Sequence, residues 1–139
     1  MAQRVREIMT PAPIAVGTLT GVNEVAQRMR DEDIGAVLVT EGTELRGLVT
    51  DRDLVVRVLA TRRNPEETTV AEACSPDLVT ASPEDDVGHA VQLMREHALR
   101  RLPVVEKGEA VGIVALGDLV VEREPSSALG DISGASPNS

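Results

Sequence analysis

The chain contains no phenylalanine, tyrosine or tryptophan among its 139 residues. Its core must therefore be assembled from valine, leucine, isoleucine, alanine and methionine, which pack as many small pieces. A bound base or other flat ring would find no aromatic face on which to stack. Ligand recognition is therefore expected to use aliphatic side chains and backbone hydrogen bonds.

Cysteine, positive charge and long apolar runs are also scarce. The single cysteine, Cys74, has no partner for an intramolecular disulfide, which predicts a reducing, cytoplasmic location. The net charge of −9 disfavours nucleic acid and anionic membranes as partners, because both require clustered cations. No apolar run approaches a membrane span, and no signal-peptide pattern is present. The basic residues are nearly all arginine, which is typical of a high-GC bacterial genome.

What the chain has is internal repetition. Residues 5–55 align without a gap onto residues 70–120 at a shift of 65 positions. Identical pairs run along the whole alignment: Val5/Val70, Glu7/Glu72, Pro11/Pro76, Val22/Val87, Gln27/Gln92, Met29/Met94, Arg30/Arg95, Gly47/Gly112, Val49/Val114, Asp53/Asp118, Leu54/Leu119 and Val55/Val120. Chance matches would not hold one register over this length, so the chain is a tandem duplication. Two copies folded against each other would create a cleft on a pseudo-two-fold axis, lined by paired positions.

Hydrophobic periodicity predicts the same elements in both repeats. The predicted strands cover residues 14–16, 36–40 and 45–50 in the first repeat and 78–81, 102–106 and 110–115 in the second. Apolar stripes predict helices through Val22, Val25, Ala26 and Met29, through Leu54, Val55, Val58 and Leu59, and through Val87, Ala90, Val91 and Met94. Gly35 is expected to end the first helix, Asp51 to cap the second, and Ser82 or residues 84–86 to start the third. The prediction is an α+β fold of two β-α-β-β-α repeats related by pseudo-two-fold symmetry.

Composition sets the expected boundaries. The first repeat is expected to span residues 4–62 and the second 70–123, joined by a linker at 63–69. Residues 124–139 lack periodicity and are rich in serine, glycine and proline, which predicts a disordered tail.

Several short motifs recur in order and in register. They are MTP at 9–11, CSP at 74–76, GLVTDRDL at 47–54, RRLPVVE at 100–106 and GIVALGDL at 112–119. Over about residues 4–122 the chain resembles a tandem pair of CBS domains (cystathionine β-synthase domains), a unit often called a Bateman module. The resemblance implies two three-stranded sheets with helices outside, commonly assembled as a homodimer. It also implies regulation through an adenosine-type ligand such as AMP, ADP, ATP or S-adenosylmethionine, although some members bind nothing detectable.

The family's ligand motif is a hydroxyl residue followed three positions later by an acid, where the third strand meets the last helix. Thr50 and Asp53 match it in the first repeat, whereas the second keeps Asp118 but has Ala115 in place of the hydroxyl. A carboxylate there can accept both ribose hydroxyls, and the hydroxyl and helix N-terminal N–H groups can meet a phosphate. The alternative is that these residues only cap their helices.

Further residues are candidates for ligand contacts. Arg100 and Arg101 are candidates for phosphate contacts, although exposed arginines on an acidic protein often remain solvated or pair with nearby carboxylates. Four strand residues are candidates for clamping an adenine, although strands would make them apolar in any case: Ile14, Val37, Val79 and Leu102. Thr10 and Ser75 lie in the segments that approach the ligand in this family, but they also fit simple turn chemistry before proline.

Catalysis finds little support in the sequence. His89 and His97 are eight positions apart on one predicted helix, too far to chelate one metal, and Cys74 has no CxxC companion. No nucleotide-binding glycine loop is present. An enzyme is therefore not expected, and no metal or cofactor is required. Two functions stay open: a sensor of an adenine nucleotide that signals to a protein effector, and a ligand-free scaffold that keeps the fold.

The predicted stripes also bear on assembly. A three-stranded sheet shields only one face of each helix, so apolar remnants at Leu54, Val58, Val91 and Met94 are expected to be buried by a second chain. The sequence therefore predicts a homodimer.

Overall fold

The computed structural model describes residues 3–11, 13–75 and 78–123, and the side chains of the last helix as far as Leu119. The predicted disordered tail at 124–139 lies outside the described residues. No helix within these ranges is long and apolar enough to cross a membrane.

The predicted elements follow the expected order with one exception. Short elements that were not predicted also occur: a 3-10 helix (Val5–Glu7), a strand (Thr10–Pro11) and a helix (Val70–Ala73). The first repeat contains β1 (Thr10–Pro11), β2 (Ala15–Gly17), α1 (Val22–Glu32), β3 (Ala36–Glu41), β4 (Glu44–Thr50) and α2 (Asp51–Asp53), which continues as a π-helical segment (Leu54–Leu59). The second contains α3 (Val70–Ala73), α4 (Val87–His97), β5 (Arg101–Glu106), β6 (Glu109–Ala115) and α5 (Leu116–Arg123). The predicted α+β class is confirmed.

The strands of the described residues form two three-stranded sheets, β2-β3-β4 and β1-β6-β5. β2 runs parallel to β3, with α1 as the crossover, and β3 and β4 form an antiparallel hairpin. The hairpin β5–β6 repeats that geometry, since both carry a register shift at equivalent positions, after Val39 and after Val104. The duplication is therefore preserved down to the irregularities of the ladders.

The exception is the first strand of the second repeat. The strand predicted at 78–81 is reduced to one parallel bridge between Ala81 and Val104. A turn follows at once, in which the Asp85 N–H donates to the Ser82 carbonyl, and Pro83 has no N–H to offer a ladder. Asp86 then serves as the N-cap of α4, inside the acidic stretch predicted to start that helix.

Helices α1 and α4 end on a left-handed residue that is not glycine. Asp33 and Ala98 take φ values of 56° and 53°. The next residues, Ile34 and Leu99, donate their N–H groups back to carbonyls of the last turn, as in a Schellman closure. The prediction that Gly35 ends the first helix is therefore wrong, because α1 stops at Glu32.

Each sheet has an aliphatic core. The first includes Val25, Val37, Val39, Val49 and Val58, and the second Ala90, Met94, Leu102, Val104 and Val114. Val58 and Met94 are only 2% and 4% exposed, so the prediction that a second chain must cover these two is wrong. Leu54 and Val91 are partly buried at the edges of the cores.

Each repeat begins with a lead-in segment, residues 5–11 in the first repeat and 70–75 in the second, that pairs with the sheet of the other repeat. In the first lead-in, β1 extends the second sheet, with Thr10 opposite Ile113 of β6. In the second lead-in, Ser75 bridges Leu48 of β4. The two pairings are equivalent under the 65-residue shift.

Two buried valines accompany this pairing. Val5 is completely buried in the core of the second sheet, and its equivalent, Val70, is completely buried in the core of the first. Among the described residues, one compact unit therefore spans 14–78 (unit I), and the other joins 3–13 to 79–123 (unit II). The predicted boundaries divide the sequence by repeat, whereas these units divide it by packing.

A glycine in each sheet leaves room for the lead-in. A Cβ placed on Gly112 would lie 2.6 Å from the sulfur of Met9 and 2.9 Å from the carbonyl oxygen of Thr10. A Cβ on Gly47 would lie 2.8 Å from the Cys74 sulfur, but no closer than 3.3 Å to a backbone atom, the Ser75 carbonyl oxygen. The clearance is therefore tighter against the backbone in unit II.

We expect Gly112→Ala to lower the free energy of unfolding by about 2 kcal/mol, as overpacking does, because the β1 backbone would have to move. Gly47→Ala should cost less, since the Cys74 side chain can rotate away. Gly17→Ala is the control, because its Cβ would meet nothing closer than 3.9 Å. Urea unfolding of the three variants measures the order, and equal losses would contradict the proposed clearance.

Candidate ligand site

The start of α2 is closed by a reciprocal pair of hydrogen bonds. The Asp53 N–H donates to the Thr50 hydroxyl at 3.2 Å, and the Thr50 N–H donates to Asp53 Oδ2 at 2.9 Å. The Thr50 hydroxyl also donates to Asp53 Oδ2, at 3.0 Å. Thr50 is thus the N-cap, and the prediction that Asp51 caps this helix is wrong, since Asp51 already lies within its first turn. The cap holds the Asp53 carboxylate beside the N–H groups at the helix start.

Asp53 also forms an ion pair along the helix. Arg57 Nε lies 3.3 Å from Asp53 Oδ1, with the Asp53 side chain 14% exposed and the Arg57 side chain 46% exposed. Both carboxylate oxygens of Asp53 therefore have partners within unit I.

Asp118 occupies the equivalent position in unit II with fewer partners. Its Oδ2 accepts the Ala115 N–H at 2.9 Å, and Ala115 supplies no hydroxyl. No cation among the described side chains lies within ion-pair distance, and the sequence places Glu122 where the first repeat has Arg57. Burial raises the pKa of Asp118 above its ordinary value, and the Ala115 hydrogen bond opposes that change in part.

The two arginines of the second repeat flank the start of α5. Arg101 pairs with Ala115 across the β5–β6 ladder, and the Arg100 carbonyl accepts the Leu116 N–H. Arg100 is exposed and Arg101 partly so, and neither forms an ion pair with a described residue. Both guanidinium groups are thus available to an anion. The first repeat has Gly35 and Ala36 at the equivalent positions, so it carries no such charges.

The proposed apolar clamp is only partly accessible. Val37 and Leu102 are completely buried in their cores and expose no surface in this conformation, and their contact with a ligand stays a prediction. Ile14 and Val79 are partly buried against the cores and keep some exposed surface. Their contact with a ligand stays a prediction.

The lead-in candidates lie two positions along the ladders from the helix starts. Ser75 bridges Leu48 in unit I, and Thr10, which is exposed, pairs with Ile113 in unit II. Each unit thus contains one lead-in hydroxyl, one strand end and one helix-start aspartate. Their roles as ligand contacts stay predictions.

Sequence reasoning missed two residues of unit I. Arg57 follows Asp53 by four positions, a spacing that places opposite charges on one helix face and was visible in the sequence. Cys74 lies close enough for the charges of Asp53 and Arg57 to act on its thiol, whose pKa is raised mainly by burial. No local sequence pattern indicates that Cys74 lies near Asp53, because the proximity depends on the pairing of Ser75 with Leu48 of β4.

The described residues contain no group of three or more His, Cys, Asp or Glu side chains placed to hold a metal ion. His89 lies 3.9 Å from the carboxylate of Asp85, one turn earlier in the chain. This pair resembles a solvated helix-start interaction more than a metal site.

Comparison with known proteins decides the family. The model of the CBS domain matches residues 5–60 and again residues 66–124. The chain belongs to the CBS domain family. The two matches correspond to the two sequence repeats.

Relatives of similar length support this. The chain is 38% identical over 126 residues to the CBS domain-containing protein YhcV of Bacillus subtilis, covering 91% of this chain and 89% of that protein. It is 32% identical over 115 residues to hypoxic response protein 1 of Mycobacterium tuberculosis, covering 82% and 80%. The name of the first of these relatives agrees with the match to the CBS domain.

Solved structures share the fold. A putative signal-transduction protein with CBS domains from Burkholderia ambifaria gives a TM-score of 0.83 at 27% identity, covering 90% of this chain and 96% of that one. Hypoxic Response Protein I, solved with two coordinated zinc ions, gives 0.77 at 31% identity, covering 85% and 97%. The predicted fold, a CBS pair, is confirmed.

The raised pKa of Asp118 gives the folded protein a predictable pH dependence. The folded state holds this proton more tightly than the unfolded chain, so Asp118 contributes stability below the unfolded pKa of about 4. That contribution is lost as the pH rises through the raised folded pKa. In urea unfolding, the free energy of unfolding of Asp118→Asn should therefore increase relative to that of the parent as the pH rises. Parallel curves would contradict a buried, proton-retaining Asp118.

Proposed function

We propose that this CBS protein is a regulator that binds an adenine nucleotide or a related adenosyl ligand, such as AMP, ADP, ATP or S-adenosylmethionine. The observation that carries the proposal is the placement of Asp53 and Asp118 at equivalent helix starts. At both positions a partly buried carboxylate adjoins the first N–H groups of a helix. A ribose and a phosphate need that combination of an acceptor and donors.

The phosphate and base of the ligand would be contacted by different groups in the two units. In unit I the Thr50 hydroxyl adjoins the helix start, whereas in unit II Arg100 and Arg101 supply positive charge for a phosphate. Because the chain has no aromatic residue, the adenine would lie against aliphatic surface such as the exposed edges of Ile14 and Val79. Binding at such a site changes conformation or assembly and so signals to a protein effector. No catalytic step is proposed.

A scaffold function is the alternative, and one observation favours it. Ala115 removes the hydroxyl from the second motif, and Thr50 and Asp53 satisfy each other as a helix cap. A CBS pair that keeps its fold but binds no nucleotide would show these features as well.

A thermal-shift screen with AMP, ADP, ATP and S-adenosylmethionine separates the two functions. A ligand at one hundred times its dissociation constant should stabilise the protein by about 2.7 kcal/mol. Calorimetry then tests the residues. Asp53→Ala is expected to weaken binding by about 2–3 kcal/mol, the range for charge-assisted hydrogen bonds.

Asp118→Ala should cost less than Asp53→Ala, because its repeat lacks the hydroxyl, and Ala115→Thr should tighten the second site. Equal losses at Asp53 and Asp118 would contradict this asymmetry. Absence of binding by the parent protein to all four compounds would favour the scaffold.

Self-association is the second part of the proposal, and the π-helical segment supports it. Val55, Val56 and Leu59 are 55%, 42% and 61% exposed and lie together on this segment, in place of the predicted Val58. Apolar side chains clustered in this way are typical of a surface that another chain covers. The proposed occupant is a second copy, giving a homodimer.

Leu59→Glu is expected to convert the dimer to a monomer of 14.8 kDa, because it places a charge in the apolar cluster. Leu19→Glu is the matched control, since Leu19 is 84% exposed in a turn and should leave assembly unchanged. Sedimentation or light scattering across micromolar concentrations measures both. A monomeric parent protein would refute the dimer.

A further inference from the structure

Both oxygens of the Asp53 carboxylate are engaged by its own chain. An ionised carboxylate offers about four lone-pair sites. The Thr50 N–H and hydroxyl fill two at Oδ2, at 2.9 and 3.0 Å, which leaves Oδ1 to receive a ligand. Arg57 Nε lies 3.3 Å from Oδ1 in an ion pair. A ribose diol donates two hydrogen bonds, so both hydroxyls must reach Oδ1, where the guanidinium group competes with them.

Arg57 is the contact that can be released at least cost. The Thr50 contacts close the start of α2, and both groups are partly buried. Arg57, in contrast, makes a single long contact from a side chain that is 46% exposed. Its guanidinium group can therefore move away from Asp53 and be hydrated by solvent. Ion pairs of this exposure are weak, so the arginine competes with a ligand without closing the site.

The second repeat does not carry this competitor. Within the described part of the chain, Asp118 accepts a hydrogen bond from Ala115 N–H and has no cation within ion-pair distance. The sequence position equivalent to Arg57 holds Glu122. The two aspartates thus share a backbone position but differ in what a diol must displace.

We propose that Arg57 is a positioning residue that gates the first repeat, holding Asp53 in an ion pair that must open before a ribose diol binds there. This inference rests on the proposed function, because it requires a ribose contact at Asp53. It predicts a site whose affinity depends on ionic strength even for an uncharged ligand.

Adenosine is the probe that isolates the gate. It carries no charge, so added salt acts on the protein's ion pair and not on the ligand. By calorimetry at low salt, Arg57→Ala is expected to bind adenosine about fivefold more tightly than the parent, equivalent to about 1 kcal/mol. Added salt should strengthen binding by the parent and reduce this advantage. A purely structural role for Arg57 would not produce that trend.

Three controls accompany the measurement. Arg57→Lys keeps a cation at the position and should return the affinity toward that of the parent. 2′-Deoxyadenosine donates one hydroxyl fewer and should gain little from Arg57→Ala. Arg28→Ala removes an exposed arginine of unit I that makes no ion pair with a described residue, so it reports the effect of net charge alone.

The outcomes separate the gate from the function. If Arg57→Ala binds adenosine no better than the parent, or binds AMP without binding adenosine, the gate is wrong and the proposed function stands. If neither protein binds adenosine, AMP, ATP or S-adenosylmethionine while both unfold cooperatively, the proposed function is wrong and the gate falls with it. Adenosine binding that is tighter in Arg57→Ala and lost in Asp53→Ala supports both.

Discussion

Two valines, each buried in the core of the repeat to which it does not belong in sequence, hold this architecture together. Val5 lies in the second core and Val70 in the first, and neither retains any exposed surface. Burial of a valine stabilises a fold by about 1.5–3 kcal/mol. In a chain without aromatic residues, the core is built from small side chains, so its stability depends strongly on each of them. The pairing of the lead-ins and the glycines that give them room follow from this exchange.

Equivalent backbone positions in the two repeats carry different chemistry. In each repeat, the helix that follows the hairpin has an aspartate in its first turn, Asp53 or Asp118. The carboxylate of this aspartate accepts a hydrogen bond from the backbone N–H of the residue three positions earlier. In the first repeat the surroundings add a hydroxyl and a guanidinium group, and in the second they add Arg100 and Arg101, which form no ion pair with a described residue. Duplication thus preserved the geometry of the helix start, while single substitutions changed the groups that surround each carboxylate.

Most of the fold was predictable because the spacing of apolar residues within each segment indicates its secondary structure. Strands β3 to β6 and helices α1 and α4 follow from apolar runs and stripes, which need no knowledge of distant residues. The sequence pattern at 78–81 predicts a strand, as it does at 14–16 in the first repeat. The strand is lost because a turn begins at Ser82 and Pro83, and the apolar pattern does not reveal this. Likewise Thr50 and Asp51 are both good caps, and only the geometry decides between them.

The site was predictable in part. The helix-start aspartates followed from motifs in register, whereas the burial of Val37 and Leu102 followed from packing on both faces of a strand. Which surface each lead-in covers is a contact between residues far apart in sequence, so no local pattern reveals it. The same holds for the approach of Cys74 to Asp53.

The exchange of lead-ins also sets an order of events during synthesis. Unit I is continuous over residues 14–78, so all its parts are made before β5 and β6. Unit II needs both residues 3–11 and β6, which lies about a hundred residues later in the chain. In the interval Val5 has no core to enter, and the nascent chain must carry it exposed. Chains caught during synthesis should therefore expose residues 3–11 to chaperones until β6 is made.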